Sequence, residues 1–88
     1  MKWDDVGYLL GSTTSMKILE CLNSKQHLTP LHIAKKINVA QSNVSTKLGH
    51  LIKRDLVECI NPTAHKWRFY RITKKGKNVL IEVKKIKE

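Results

Sequence analysis

Apolar residues recur along the chain at two spacings, and the change from one to the other locates the predicted elements. In the first part, apolar side chains stand three or four positions apart, as one face of an α-helix requires. The stretches with this helical spacing are residues 4–10, 13–23, 30–37 and 41–54. Two short stretches rich in β-forming residues follow, and a last helical pattern begins after Thr73. The predicted order is four helices, a two-stranded hairpin and a final helix.

The third helix has clear start and stop signals. A Thr-Pro pair at residues 29–30 predicts its start, because the Thr side chain caps free N–H groups and Pro has none to lose. Its predicted core positions, three residues apart, are Leu31, Ala34 and Ile37. Asn38 suits a left-handed turn residue, so the next helix is expected to follow after a tight turn.

The helix predicted over residues 41–54 separates apolar from polar positions. Val44, Leu48 and Leu51 are spaced four and three apart and therefore form one apolar stripe. The opposite face is polar and includes Gly49, which has no side chain to keep a partner's backbone away. This pattern predicts that the stripe packs on the core while the polar face stays available for binding.

The two β-type stretches, residues 56–60 and 67–72, predict a hairpin with a basic tip. If Asn61 pairs with Trp67, one face carries Val57, Cys59 and Phe69, and the other carries Leu56, Ile60, Tyr70 and Ile72. Both faces are partly apolar, so the pattern leaves open which one packs inward. Trp67 stands among basic residues and could stack on a ligand, but its neighbour Phe69 favours packing beneath the hairpin.

The charge of the chain is large and unevenly distributed. The 88 residues carry 17 Lys and Arg against 7 Asp and Glu, a net charge of +10. Residues 1–24 hold two bases and three acids, whereas residues 25–88 hold fifteen bases and four acids. Such an imbalance points to a polyanion, which is DNA, RNA or an anionic membrane surface. A lysine-rich surface without a partner would give the same numbers.

Several classes of protein are disfavoured by the sequence. The length suits one domain with a single small core, and no apolar run is long enough to cross a membrane. Two acids, Asp4 and Asp5, stand where a targeting peptide needs basic or apolar residues, so we expect a cytoplasmic protein. The sequence contains no phosphate-binding glycine motif and no local nucleophile motif, and we therefore expect no enzyme activity.

The sequence also predicts neither a cofactor nor a metal. Cys21 and Cys59 lie 38 positions apart, which is not the spacing of a metal-binding motif or of a disulfide framework. Both stand among apolar neighbours, so we expect buried thiols. The four histidines are scattered along the chain, which leaves a site assembled from distant residues as the weaker alternative.

Four stretches in unbroken order resemble one family. They are residues 12–22 (STTSMKILECL), 28–39 (LTPLHIAKKINV), 40–57 (AQSNVSTKLGHLIKRDLV) and 70–80 (YRITKKGKNVL). This series is similar to the winged helix-turn-helix transcriptional regulators of the MarR and ArsR kind, especially their small archaeal relatives. Two residues depart from the family pattern, since Ala40 replaces the usual Ser or Thr cap and Asp55 replaces a frequent Gly.

The resemblance covers residues 12–80, about three quarters of the chain, and implies a fold and a function. Residues 1–88 are expected to form one winged-helix domain, mostly α with a two-stranded β-wing, that binds specific sequences of double-stranded DNA. Base contacts are expected from Gln41, Ser42, Asn43, Ser45 and Thr46. Phosphate contacts are expected from Lys35, Lys36, Lys47, Lys53, His65, Lys66 and Arg68.

The last helix offers an interface for a second copy. Val79, Val83 and Ile86 are spaced four and three apart, so they could pack on their own domain or pair with a second copy as a short coiled coil. We expect the second arrangement, a homodimer interface. Winged helices also serve as RNA-binding and protein-interaction modules, and these remain the alternative functions. The polar residues at the start of the 41–54 helix favour double-stranded DNA, because an interaction module would more often expose an apolar patch.

Overall fold

The elements of the computed structural model, which describes residues 2–24 and 27–87, follow the predicted order. The helices are α1 (Lys2–Leu10), α2 (Thr13–Ser24), α3 (Pro30–Ile37), α4 (Gln41–Lys53) and α5 (Lys74–Lys87). The strands are β1 (Val57–Cys59) and β2 (Tyr70–Ile72), which pair in antiparallel fashion. The predicted fold, mostly helical with a two-stranded wing, is confirmed.

The start of α3 and the turn between α3 and α4 both form as the sequence predicts. The Thr29 side chain accepts a hydrogen bond from the His32 N–H at 3.2 Å, and Pro30 opens the helix. Asn38 closes α3 with a φ of 58°, in the left-handed region. The short turn therefore brings α4 against α3 within a few residues.

The predicted core positions of α3 are partly wrong. Leu31 is only half-buried, whereas Ile33, which the spacing missed, has no exposed surface. Ala34 is buried and Ile37 packs against the core while half-buried. The helix turns its Ile33–Ala34 side inward because it contacts both α2 and α4, so its apolar face is wider than one stripe.

Helix α4 packs as predicted. Val44, Leu48 and Leu51 are all buried in the core. At its start, Ala40 provides no side-chain cap, in agreement with the absence of a hydroxyl at this position. After its end, Asp55 adopts a φ of 62°, the conformation that glycine prefers. Asp55 therefore forms the tight turn into the wing, although the residue is not glycine.

The predicted register of the wing is wrong by one residue. Val57 pairs with Ile72 and Cys59 with Tyr70, so Tyr70 and Ile72 share the inward face with Val57.

The observed register is set in the turn by the side chain of Asn61. Its Oδ1 accepts a hydrogen bond from the Phe69 N–H at 2.8 Å, and its Nδ2 donates one to the Trp67 carbonyl at 3.0 Å. A slip of one residue exchanges the two faces of a strand, so the register decides which face packs inward, a choice that the apolar pattern left open.

The strands are shorter than predicted, and a third segment joins them. Leu28 exchanges two backbone hydrogen bonds with Tyr70, at 3.0 and 2.8 Å, and so extends the sheet beyond β2. The pattern of apolar positions does not predict this bridge, because a single residue cannot show an alternation. It ties the segment before α3 directly to the wing.

Helix α5 closes the core from the other side and begins with a cap. The Thr73 Oγ1 accepts a hydrogen bond from the Gly76 N–H at 2.9 Å and donates one to the Asp55 carbonyl at 2.7 Å.

Val79 and Val83 of α5 are each only 1% exposed within their own chain. The expectation that they form a dimer interface is therefore wrong for these two residues, and Ile86 alone of the three remains exposed.

The thiols are less buried than the sequence predicts. Cys21 and Cys59 are both half-buried, and the Cys59 Sγ lies 3.7 Å from the Asn61 Oδ1. Cys59 is the last residue of β1, and the small wing covers it less than a larger sheet would.

Within residues 2–24 and 27–87, no helix has the length and hydrophobicity needed to span a bilayer.

Candidate nucleic-acid interface

The polar face of α4 is fully presented to solvent. All five predicted base-contact residues are exposed, and they lie within the first two turns of the helix: Gln41, Ser42, Asn43, Ser45 and Thr46. Ser42, Thr46 and Lys53 lie opposite the buried stripe at 100° per residue. The Thr46 Oγ1 donates to the Ser42 carbonyl at 3.1 Å, which leaves its lone pairs free to accept from a ligand.

The two flanks of α4 face different elements. His50 contacts the Tyr8 ring of α1 edge-on, with centroids 6.5 Å apart, and Asn43 and Lys47 lie on this same flank by helix geometry. Gln41 lies on the other flank and faces the wing. A ligand that covers the front of α4 would therefore meet α1 on one side and the wing on the other.

A groove of about 400 Å³ separates the start of α4 from the wing, and we refer to it as the wing groove. Pro30 and Leu31 from the first turn of α3 form one wall, with Gln41 beside them. The opposite wall comes from the loop of the wing and consists of His65, Lys66, Trp67 and Arg68. The fold thus brings three of the predicted phosphate contacts together with one predicted base contact.

The loop that forms this wall is held by hydrogen bonds. Besides the two bonds of the Asn61 side chain, the Arg68 Nε donates to the Ala64 carbonyl at 2.8 Å. Trp67 is 64% exposed, so the expectation that it packs beneath the hairpin is wrong. Its place on the inner face is taken by Tyr70, which the one-residue shift in register turns toward the core.

The remaining predicted phosphate contacts are not grouped with the wing groove. Lys36 lines a separate depression between α2 and α3, together with Lys17 and Glu20. Lys35 and Lys53 are exposed on α3 and α4, and Lys47 is half-buried. These four lysines therefore stay predictions, and Lys36 faces a different part of the surface from the basic residues of the wing.

Basic residues outside the predicted set serve the fold, and Arg71 and Lys75 are two of them. Arg71 pairs with Glu58 across the hairpin, with its Nε 2.6 Å from a carboxylate oxygen. Lys75, at the start of α5, lies 3.2 Å from the Asp5 carboxylate and donates to the Arg54 carbonyl at 2.9 Å. The charge of these side chains is partly neutralised within the chain, so they contribute less to a basic surface than their number suggests.

The sequence pattern missed the α3 wall of the wing groove. The Thr-Pro pair did mark the start of α3 in the sequence. What the sequence did not show is that this helix start lies beside the loop of the wing and lines the groove with it.

Among the described side chains, no group of three His, Cys, Asp or Glu residues is arranged to hold a metal ion. The wing groove is accordingly the strongest candidate for a ligand site.

Comparison with known proteins agrees with this fold. The HTH-type transcriptional regulator PchR of Bacillus subtilis (strain 168) is 26% identical over 77 residues, which cover 86% of this chain and 46% of PchR. The transcriptional regulator BldR from Sulfolobus solfataricus has the same fold, with a TM-score of 0.78, 24% identity, and coverage of 92% of this chain and 59% of BldR. A mutant MarR from E. coli complexed with operator DNA matches with a TM-score of 0.77 and 18% identity, covering 91% of this chain and 58% of that one.

These relatives are longer proteins, since this chain spans about half of their length. A family model described as a winged helix DNA-binding domain matches residues 14–87. That match extends from α2 to the end of α5 and includes both walls of the wing groove. The chain belongs to the winged helix DNA-binding domain family.

Proposed function

We propose that this protein binds specific sequences of double-stranded DNA and thereby regulates transcription, as a homodimer acting in the cytoplasm. The observation that carries the proposal is the wing groove, where the basic loop of the wing and the polar start of α4 share one face. A helix that reads base edges and a basic loop that neutralises phosphates supply the two kinds of contact that specific DNA binding needs. The function is occupancy of a DNA site and not catalysis.

The exposed residues of α4 suit the major groove. Gln41 and Asn43 carry amides that both donate and accept, and adenine presents a matching pair of groups there. Ser42, Ser45 and Thr46 add hydroxyls that contact a base edge or a phosphate. Since the N-terminal part of a recognition helix reaches the bases first, we assign sequence reading to these five residues.

The lysines and the wing supply affinity. Lys47 and Lys53 on α4, with Lys35 on α3, are assigned to phosphates that border the major groove. His65, Lys66 and Arg68 are assigned to the phosphates beside the wing. Binding through these contacts releases counterions, so it is expected to weaken as the salt concentration rises.

The homodimer rests on apolar surface of α1 and α5 and not on the two buried valines. Trp3 and Leu10 are exposed and stand on either side of Gly7, on the face of α1 that points away from the core. Ile81 and Ile86 are exposed on α5, which packs against α1. A helix of a second copy would approach closely over Gly7, because no side chain occupies that position. The resulting dimer would present two copies of α4 to a palindromic site.

The proposal is tested by titrating the protein with a labelled DNA duplex of about 30 base pairs and with the RNA duplex of the same sequence. We expect tighter binding to DNA, weakened by Lys66→Glu far more than by Lys84→Glu. Both changes alter the net charge equally, but Lys84 is exposed on α5. Tighter binding to RNA would favour an RNA-binding module. No binding to either duplex at low salt would favour a protein-interaction module.

A further inference from the structure

Trp67 combines two features that are individually uncommon. Its side chain is 64% exposed although it is the largest apolar side chain of the loop. Its φ is 57°, in the left-handed region where a bulky side chain is a true outlier. Backbone strain of this kind persists only where surrounding contacts impose it, and it concentrates at functional sites.

The contacts that impose this conformation come from both sides of the residue. The Asn61 Nδ2 donates to the Trp67 carbonyl at 3.0 Å, and the next residue, Arg68, is held by its bond to the Ala64 carbonyl at 2.8 Å. The indole itself is not needed for these bonds, because they involve the backbone and the neighbouring side chains. The loop therefore displays the indole and does not use it for packing.

The surroundings of the indole define what it can bind. It lines the wing groove opposite the apolar side chains of Pro30 and Leu31, while Lys66 and Arg68 stand on either side of it in the chain. Apolar groove walls bordered by cations fit a ligand that alternates uncharged carbon surface with negative charge. The sugar–phosphate strand of DNA has this alternation, since each deoxyribose lies between two phosphates.

We propose that the wing groove holds one DNA strand, with the Trp67 indole packed on a deoxyribose and the flanking phosphates held by Lys66 and Arg68. This inference rests on the proposed function. A helix lying in the major groove has a sugar–phosphate strand along each side. Because the wing groove runs between α4 and the wing, the strand on the wing side has to cross it, and Gln41 then faces the adjoining bases.

The environment of the indole provides the first test. Trp67 is the sole tryptophan in a Trp3→Phe variant, since the chain contains two. Titration of this variant with an unlabelled DNA duplex of about 30 base pairs should shift the emission to shorter wavelength, because the indole leaves water. Strong quenching without a shift would contradict packing on a sugar and favour stacking on a base. Unchanged emission under saturating DNA would overturn the proposal.

The dependence on salt provides the second test. Trp67→Ala should weaken binding about tenfold, near the lower end of the range for stacking of a base on an aromatic ring, without changing the slope of log K against log salt. Lys66→Ala should lower that slope by about one unit. Trp67→Phe should recover most of the affinity because it keeps an aromatic face. Equal affinity of the Trp67→Ala and wild-type proteins would refute the contact while leaving DNA binding itself intact.

A Trp67→Gly variant distinguishes the effect of backbone strain on stability from the effect of the indole on DNA binding. Trp67→Gly removes the indole and also relieves the left-handed backbone, so its melting temperature should exceed that of Trp67→Ala. Its affinity for the duplex should be as low as that of Trp67→Ala. If Trp67→Gly binds as tightly as the wild type, the indole makes no contact. If the wild type itself fails to bind any duplex, the proposed function fails together with this inference.

Discussion

The Asp5 carboxylate accepts a hydrogen bond from the Arg54 guanidinium at 3.2 Å, across 49 positions of sequence. Asp5 has a side chain only 5% exposed, and the Arg54 guanidinium also stacks over the Tyr8 ring at 4.3 Å. The Lys75 Nζ lies 3.2 Å from the second carboxylate oxygen, as an ion pair without the alignment of a hydrogen bond. One buried acid thus connects α1 to the residue that follows α4 and to the start of α5.

Replacement of this acid should destabilise the domain. Asp5→Asn removes the negative charge that both cations face, and we expect the free energy of unfolding to fall by about 2 kcal/mol. Asp4→Asn is the matched control, because Asp4 stands in the same first turn but is exposed. It should change stability by less than about 0.5 kcal/mol in urea denaturation. Equal effects of the two changes would show that Asp5 acts through the helix dipole and not through Arg54.

Two of the helical glycines, Gly49 and Gly76, should respond to alanine in opposite directions. At Gly76, an added Cβ would collide with the Leu56 carbonyl and lie 2.8 Å from the Ile72 Cγ1, so Gly76→Ala should cost about 1–3 kcal/mol or more. At Gly49, the space is open and the helix gains propensity, so Gly49→Ala should stabilise by up to about 1 kcal/mol. Thermal unfolding measures both. A stabilised Gly49→Ala protein that binds DNA more weakly would show that α4 approaches the DNA closely there.

Residues that read bases and residues that hold phosphates should differ in the kind of binding they lose. Gln41→Ala and Asn43→Ala should reduce the preference for a selected site by roughly 1–3 kcal/mol while leaving binding to other sequences nearly intact. Lys47→Ala should weaken binding to every sequence and lower the salt slope by about one unit. Competition titrations between a selected duplex and a scrambled one measure the difference. A uniform loss in all three variants would argue against sequence reading by α4.

The apolar face of α1 should control assembly. Leu10→Glu places a charge beside Gly7 on the exposed face, and we expect it to convert a dimer into a monomer in sedimentation equilibrium. Ile60→Glu is the control, since Ile60 is similarly exposed but lies next to β1. It should leave the assembly unchanged. A wild-type protein that sediments as a monomer at high concentration would rule out the proposed homodimer.

The sequence predicted those parts of the fold that depend on local signals. The Thr-Pro start of α3, the left-handed Asn38 and the stripe of Val44, Leu48 and Leu51 each follow from a few neighbouring residues. The predicted base-contact residues all proved to be exposed for the same reason, because the stripe fixes the opposite face of α4.

The features that the sequence did not predict depend on residues far apart in the chain. The register of the wing was set by hydrogen bonds of the Asn61 side chain, which a pattern of apolar positions does not contain. The burial of Val79 and Val83 follows from α5 closing over the core of its own chain, so a stripe that suited a dimer was used internally. The contact between Asp5 and Arg54 likewise arises only once α1 and α4 are packed.

The binding face can be mapped directly by nuclear magnetic resonance on this 10.1 kDa chain. Titration of labelled protein with a DNA duplex of about 30 base pairs should shift the backbone amides of the first two turns of α4 and of the wing loop around Trp67. The amides of the α1 face around Gly7 should stay in place. Shifts confined to α1 and α5, with α4 and the wing unchanged, would contradict the assignment of the DNA-binding surface.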